Sequence, residues 1–420
     1  MIRQIVLQSN KETESEQFEN DKLRIIESLS RQAANTERFS KAINPYPISH
    51  SQEELMVQER IQKTLSKAIN AIVSNYLTDK RIQEIIKLDE RTIEILKCAS
   101  QTPYHIGAYR PDFLYDSKGN IVICEINARF ATNAFFITHY LRHCKFVNSS
   151  GQVQQYKGNN IAAFVERIPQ KHTVYIVKGR ESGWDIYCLA NELQKLGRTC
   201  AIIPPSALDL VASREDASFI LELHQDEILA DGVYETLCTL AKSRNYFNDL
   251  RTIFIAHDKR MLAVLHRQDI MKDYIGDEDF EFLRNHVAKT YVLSSDLRQV
   301  AILDRDNWML KPTQFGKGEG IMLGHKLSQE EWEEAVHEAD YSKFVLQEVV
   351  IQQQTEILTM VDQNTCLYNM NVVGTILCID DDYLGPGIYR ASESEIVNVA
   401  SGGAILFAVM DNDLDGCVYQ

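Results

Sequence analysis

Between Trp308 and Ile321 an apolar strand, Trp308-Met-Leu, ends in Lys311-Pro312 and gives way to Thr-Gln-Phe-Gly316-Lys317-Gly318-Glu319-Gly320. Glycine recurs there at every second position. Such glycines let the backbone approach oxygen atoms closely and aim its N–H groups at them, while a lysine neutralises phosphate charge. A strand delivering a lysine into this kind of loop suits phosphate gripping, with a flexible turn as the alternative that the segment alone leaves open. The order G-x-x-x-x-G-K-[ST] is absent, so the loop is not a Walker A motif.

Three further segments carry chemistry. Lys343-Phe-Val-Leu-Gln347-Glu348-Val349-Val350 is an apolar strand with two polar residues near its end, about thirty residues beyond the glycine loop. In a nucleotide enzyme such a segment forms a hinge whose backbone pairs with the adenine edge. Upstream, Tyr109-Arg110-Pro111-Asp112-Phe113 is followed by a turn at Asp116-Ser-Lys-Gly119-Asn120 and the run Ile121-Val-Ile-Cys124-Glu125-Ile126-Asn127-Ala-Arg129. This reads as a hairpin, and period two puts Glu125 and Asn127 on one face of its second strand. Two carboxylates and an amide oxygen make the hard-oxygen set that magnesium prefers. Finally, Gly385-Pro-Gly-Ile-Tyr-Arg390 precedes Asn398-Val-Ala-Ser401-Gly402-Gly403. An arginine there can hold a phosphoryl group or a carboxylate bidentately, and the glycine pair would let a loop close over the site.

At 420 residues the chain exceeds one ordinary core and implies two or three lobes. With 45% hydrophobic and 25% charged residues it has a globular composition. A net charge of −15 argues against nucleic acid or anionic membrane as a partner, because a polyanion needs a basic surface; a local basic cleft is still compatible with it. The nine cysteines are odd in number, scattered and without a C-x-x-C pair, which disfavours zinc and a disulfide framework. The apolar start is too short for a signal peptide and no window approaches a membrane span, so a cytoplasmic address is expected.

Along the chain, residues 10–100 show helical spacing, as in Leu55, Ile61, Leu65, Ile69, Ile72 and Val73, and predict a helical lobe interrupted by an Asn44-Pro45-Tyr46-Pro47-Ile48 connector. Residues 172–205 read as strand, glycine turn, helix and strand, a βαβ unit of a small doubly wound lobe without a dinucleotide fingerprint. Ser328 and Glu331 have capping-box spacing. The expected division is 1–145 for the helical lobe with the metal-binding hairpin, 146–245 for the βαβ lobe, and 246–420 for the lobes holding the phosphate loop and the adenine hinge.

Together these segments resemble the ATP-grasp superfamily. Arg110-Pro-Asp112 and Glu125-Ile-Asn127 precede Lys311, so the order is similar to the circularly permuted branch typified by the synthetase domain of glutathionylspermidine synthase. The resemblance covers roughly 100–145 and 250–405. It implies an α/β (α+β) fold, a permuted ATP-grasp with a helical N-terminal lobe and a small βαβ lobe. It further implies that Asp112, Glu125 and Asn127 hold two magnesium ions and that Lys311, with Gly316, Lys317, Gly318 and Gly320, meets the phosphates of ATP. Lys259 would supply a second phosphate contact, since a strand-like Ile253-Phe-Ile precedes it. Gln347, Glu348 and Val350 would form the adenine hinge, Arg110 would face an acyl-phosphate, and Arg390 would take the place of a second transition-state arginine. The amidase domain of some bifunctional relatives is absent, so only bond formation is expected.

The implied reaction joins a small-molecule carboxylate to an amine through an acyl-phosphate, releasing ADP and phosphate. A phosphotransferase on the same fold and a nucleotide-binding module without turnover are the alternatives. Dimers are common at this chain length, so a homodimer is one assembly to expect.

Overall fold

The computed structural model describes residues 3–4, 14–32, 36–39, 41–142, 147–148, 151–152, 159–181, 183–243, 245–314, 316, 318–340, 342–361, 364–399 and 402–410. The strands that frame the site are β1 (Ala108–Tyr115), β2 (Ile121–Asn127), β3 (Thr173–Lys178), β4 (Cys200–Ile203), β5 (Ala217–Glu222), β6 (Thr290–Val292), β7 (Trp308–Pro312), β8 (Met322–Leu323), β9 (Phe344–Glu348), β10 (Thr355–Val361), β11 (Asn364–Ile379), β12 (Asp382–Pro386), β13 (Tyr389–Ser392) and β14 (Ala404–Leu406).

The largest sheet is antiparallel with the order β14-β13-β11-β1-β2, and β10 and β12 also pair with β11. The β1–β2 turn forms where the sequence places it. Asp116 Oδ1 accepts the N–H groups of Lys118 at 2.9 Å and Asn120 at 2.8 Å, and Gly119 takes φ +82°. Alternation along β1 gives the sheet two unlike faces. Tyr109, Phe113 and Tyr115 join one core with the helix Gln52–Asn75, whose Ile61, Leu65, Ile69 and Ile72 are fully buried. Burial of each such side chain contributes about 1.5–3 kcal/mol. Ser51 caps that helix by accepting the Glu54 N–H. Arg110, Asp112 and Leu114 therefore fall on the opposite face.

A smaller parallel sheet, β4-β3-β5, has the helix Trp184–Lys195 as its β3-to-β4 crossover, which is the βαβ unit read from the sequence. The third sheet is antiparallel with the order β6-β9-β7-β8. Leu310 and Leu346 of this sheet pack against Trp332 and Val336 of the helix Gln329–Glu338. That helix starts at the Ser328–Glu331 capping box, both reciprocal hydrogen bonds being present.

Two local expectations meet their outcome here. Ile253-Phe-Ile is not a strand: residues Thr252–Ala256 form a π-helical turn that runs into the helix Arg260–Leu265. The run is buried on every side, so its composition does not reveal a period. The 44–48 segment is a structural connector, with Asn44 donating to the Leu358 carbonyl at 2.7 Å and Tyr46 packed edge-on against Phe18. The seven described cysteines are free thiols. No helix among the described residues is long and apolar enough to cross a membrane.

Candidate active site

The polar face of the large sheet is the floor of the site. Register pairs Arg110 with Asn127 and Asp112 with Glu125, so all four side chains lie on one face. The ladder shifts between Asp112 and Phe113, where Cys124 is the additional residue on β2. Such bulges re-aim side chains at strand ends. Asp112 is the hub: its Oδ2 accepts Arg390 at 2.6 Å and Asn127 Nδ2 at 3.0 Å, and its Oδ1 accepts the Thr375 hydroxyl at 2.8 Å. Burial works against the charge of Arg390, and Asp112 more than offsets it, raising the guanidinium above its usual range. Arg110 donates to the Phe130 carbonyl at 2.7 Å, and burial draws its pKa down.

Both lysines arrive at this floor from elsewhere in the chain. Lys259 Nζ lies 3.2 Å from Glu125 Oε1, and its backbone N–H donates to the Thr313 carbonyl, tying it to the base of the glycine loop. Lys311 Nζ donates to the Cys124 carbonyl at 3.5 Å. Burial alone would raise the Glu125 pKa, but Lys259 and Lys311 overcome it and hold the carboxyl at about 2. Burial lowers the Lys311 ammonium below the usual lysine range, with the Cys124 thiol and Glu125 pulling it back. His257, two residues before Lys259, is pushed down to about 3 by burial and by Arg129 and Lys259, so it is a neutral ring at ordinary pH.

A cleft of about 580 Å³ opens between the floor and the third sheet. It brings together Asp112, Glu125, Lys311, Gly318, Gln347, Val350 and Arg390. Leu114, Val373 and Val397 form an apolar patch in it, with Cys124 and Val350 packed alongside. Of the hinge residues, Gln347 is buried, with its amide donating to Thr290 Oγ1 at 2.8 Å, and Val350 faces the cleft. The Glu348 side chain turns away from it to Lys289, 2.9 Å off. Gly318 and Gly320 both have φ above +70°. A Cβ on Gly318 would come within 2.6 Å of Ile396 Cγ2 on the segment that roofs the cleft. Gly316 meets nothing within 4 Å, while Lys317 and Ser401 lie outside the described residues.

The segment 393–397 roofs the cleft, and Glu395 is braced by His325 at 2.8 Å and Lys326 at 2.8 Å. Its sequence carries no motif. Sequence reasoning also passes over Glu222 at the end of β5, whose Oε1 accepts the Thr132 N–H at 2.9 Å. Burial raises that carboxyl to about 7. No group of three or more His, Cys, Asp or Glu side chains able to hold a metal occurs among the described residues. The oxygens of Asp112, Glu125 and Asn127 nonetheless suit magnesium, which uses few protein ligands beside phosphate and water. Arg390 and Lys259 now supply positive charge to those two carboxylates.

Residues 61–255 match the family described as the AnkG N-terminal domain. Over 96% of this chain and 95% of the relative, the sequence is 22% identical to the ATP-grasp enzyme ankG of Aspergillus thermomutatus. The fold superposes with a TM-score of 0.61 on a glutathione synthetase-like effector, GSS30, of Globodera pallida in its apo form. That match covers 96% of this chain and 98% of the other at 10% identity. The architecture is thus a glutathione synthetase-like mixed α/β fold.

Proposed function

We propose that the chain is an ATP-dependent ligase that activates a carboxylate as an acyl-phosphate and joins it to an amine, in the permuted ATP-grasp arrangement. One observation carries the reading: Asp112, Glu125, Lys311, Gly318 and Arg390, far apart in sequence, line one cleft that also holds an apolar patch, and Lys259 joins it through Glu125. The full-length similarity to an ATP-grasp enzyme agrees with it.

In this reading the adenine lies against Leu114, Val373 and Val397, with the backbone of 347–350 at its edge. The triphosphate runs toward Lys311 and Lys259 beneath the 313–321 loop. Lys259, Lys311 and Arg390 meet Asp112 and Glu125 at that end, while Asp306, Glu393 and Glu395 line other parts of the cleft. Asp112, Glu125 and Asn127 would hold magnesium, which neutralises phosphate oxygens when bound. Lys259 and Arg390, which now meet these carboxylates, lie where they would serve the phosphates.

The substrate carboxylate attacks the γ-phosphorus, the bond to the β-phosphate oxygen breaks, and ADP leaves. Lys311, Lys259 and Arg390 stabilise charge on the transferring phosphoryl oxygens. An amine then adds to the acyl carbon, phosphate departs, and the surplus amine proton passes to solvent. The roof at 393–397 and the glycine loop would keep water from the intermediate.

Pairwise screening of acids and amines for phosphate release, with product mass, tests the reaction. Amide plus free phosphate is the expected product, whereas a stable phosphorylated compound would identify a phosphotransferase. Glu125→Gln removes one charge and keeps the shape, and should lower ADP release by about 100-fold or more in a protein that still unfolds cooperatively, its thermal midpoint lowered by the loss of the Lys259 ion pair. Undiminished turnover in that variant would refute the assignment.

A further inference from the structure

We infer that Arg129 recognises a second acidic group on the carboxylate substrate, so that the acid being activated is a dicarboxylate. This rests on the ligase reading above and specifies one of its two substrates.

Three other arginines packed inside the protein are paired with acids. Arg251 and Arg260 are held bidentately by Asp249 and Asp258 at 2.6–2.9 Å, and Arg390 is held by Asp112. Arg129 differs. Among the described residues its guanidinium makes no hydrogen bond and no ion pair, and its Nε is buried without a partner. Its neighbouring contact is the Phe130 ring, 4.6 Å from the guanidinium carbon. Burial lowers its pKa, with Glu181 and Glu125 acting in the opposite direction. Arg129 is half-buried: its Nε is enclosed while its Nη groups reach solvent, so their donors are open to an incoming anion.

The location indicates which anion. Arg129 follows directly on the Glu125-Ile-Asn127 strand end, yet it is not among the residues lining the nucleotide cleft. Its loop reaches instead to the carboxyl end of β5, where Thr132 N–H donates to Glu222 and Phe130 packs edge-on against His224 at 5.1 Å. Crevices at the carboxyl ends of parallel strands are where ligands of α/β sheets bind. Arg110 meets the carbonyl of Phe130, the residue whose ring Arg129 covers, and it too has no ion pair among the described residues. Two guanidinium groups thus flank Phe130. Arg110 lies nearer Asp112, beside the phosphoryl-transfer end, and suits the carboxylate that reacts. Arg129 suits a second carboxylate, for which its planar fork of donors is the matching receptor.

The test uses the full chain with magnesium and a non-hydrolysable ATP analogue. Succinate, glutarate, L-aspartate and L-glutamate are each compared with their ω-monoamides by calorimetry. At least one acid should bind about tenfold or more tighter than its amide, since a charged hydrogen-bonded pair is replaced by a neutral one. Arg129→Gln should erase that ratio and Arg129→Lys restore part of it, with nucleotide affinity and thermal midpoint unchanged. Equal binding of every acid and its amide by the unsubstituted protein, a measurement that needs no variant, would overturn the inference. So would a ratio that survives in Arg129→Gln. Phosphate release measured in parallel separates the two readings. Acid preference without amine-dependent release would defeat the ligase assignment and leave the Arg129 site standing, while release without acid preference would do the reverse.

Discussion

Glu222 and Glu125 are both buried carboxyls, and their surroundings drive them in opposite directions. Glu125 faces two lysines and stays ionised down to about 2. Glu222 has no ion pair among the described residues; burial dominates, its Thr132 hydrogen bond only partly compensates, and the carboxyl reaches about 7. Between its unfolded value of 4.5 and that folded value, the native chain keeps a proton that the unfolded chain has lost. Stability from this group is therefore fully present below pH 4.5 and is lost as pH rises through about 7, by about 3 kcal/mol at most. Glu222→Gln keeps an acceptor for Thr132 and removes the proton. The variant should lack the fall in thermal midpoint that the unsubstituted protein shows between pH 5 and pH 8. Parallel midpoint curves for the two proteins would show Glu222 already ionised in the fold. Glu125 acts in the other sense and in a separate window, losing its contribution only as pH drops from 4.5 toward 2.

At the scale of elements, the glycine loop between β7 and β8 depends on two things that a side chain would spoil. Gly318 occupies φ +73°, where other residues pay about 1–2 kcal/mol, and its Cα faces Ile396 too closely for a methyl group. Gly318→Ala should raise the KM for ATP about tenfold with little change in thermal midpoint. Ile396→Ala in the same chain should recover the steric part alone. Gly316→Ala should cost much less, because nothing lies within 4 Å of its Cβ direction. An unchanged KM in Gly318→Ala, read by steady-state kinetics, would mean the loop does not approach the nucleotide. This loop and the β1–β2 hairpin were legible in the sequence for a physical reason: each puts a charged or amide residue at the end of an apolar strand, where period two fixes its face. Lys259 was legible only by position, since the supposed strand before it is a π-helical turn. Glu222 and Arg129 gave no such signal. The run Phe219-Ile-Leu-Glu222-Leu-His224 reads as a strand with polar residues near its end, and Arg129 reads as a solvated loop arginine. What distinguishes them is what surrounds them, or fails to, once the β5 lobe meets the loop after β2.

For the whole molecule, the two walls of the cleft belong to different sheets joined by long excursions of the chain. Between β2 and β7 the polypeptide builds the entire parallel sheet and the helices around Lys259 before returning with Lys311. Among the described residues, side-chain ties around the site include Lys259 to Glu125, Lys311 to the Cys124 carbonyl, and Glu395 to His325 and Lys326, and backbone bridges join Ile123 to Val287 and Asp116 to Gln352. A ligand spanning both walls adds contacts between segments already joined by these bridges, and its binding energy is spent partly on ordering the loops between them. Magnesium with a non-hydrolysable ATP analogue should slow amide hydrogen exchange together in 110–127, 308–321 and 393–397. The exposed turn after β4, around Asp209–Arg214, should exchange as before. Protection of 308–321 alone would mean that the nucleotide meets only the third sheet, and the acidic strand end would then need another occupant. Simultaneous protection of all three segments, lost in Glu125→Gln for 110–127 first, would tie the acidic floor to the glycine loop as one functional unit.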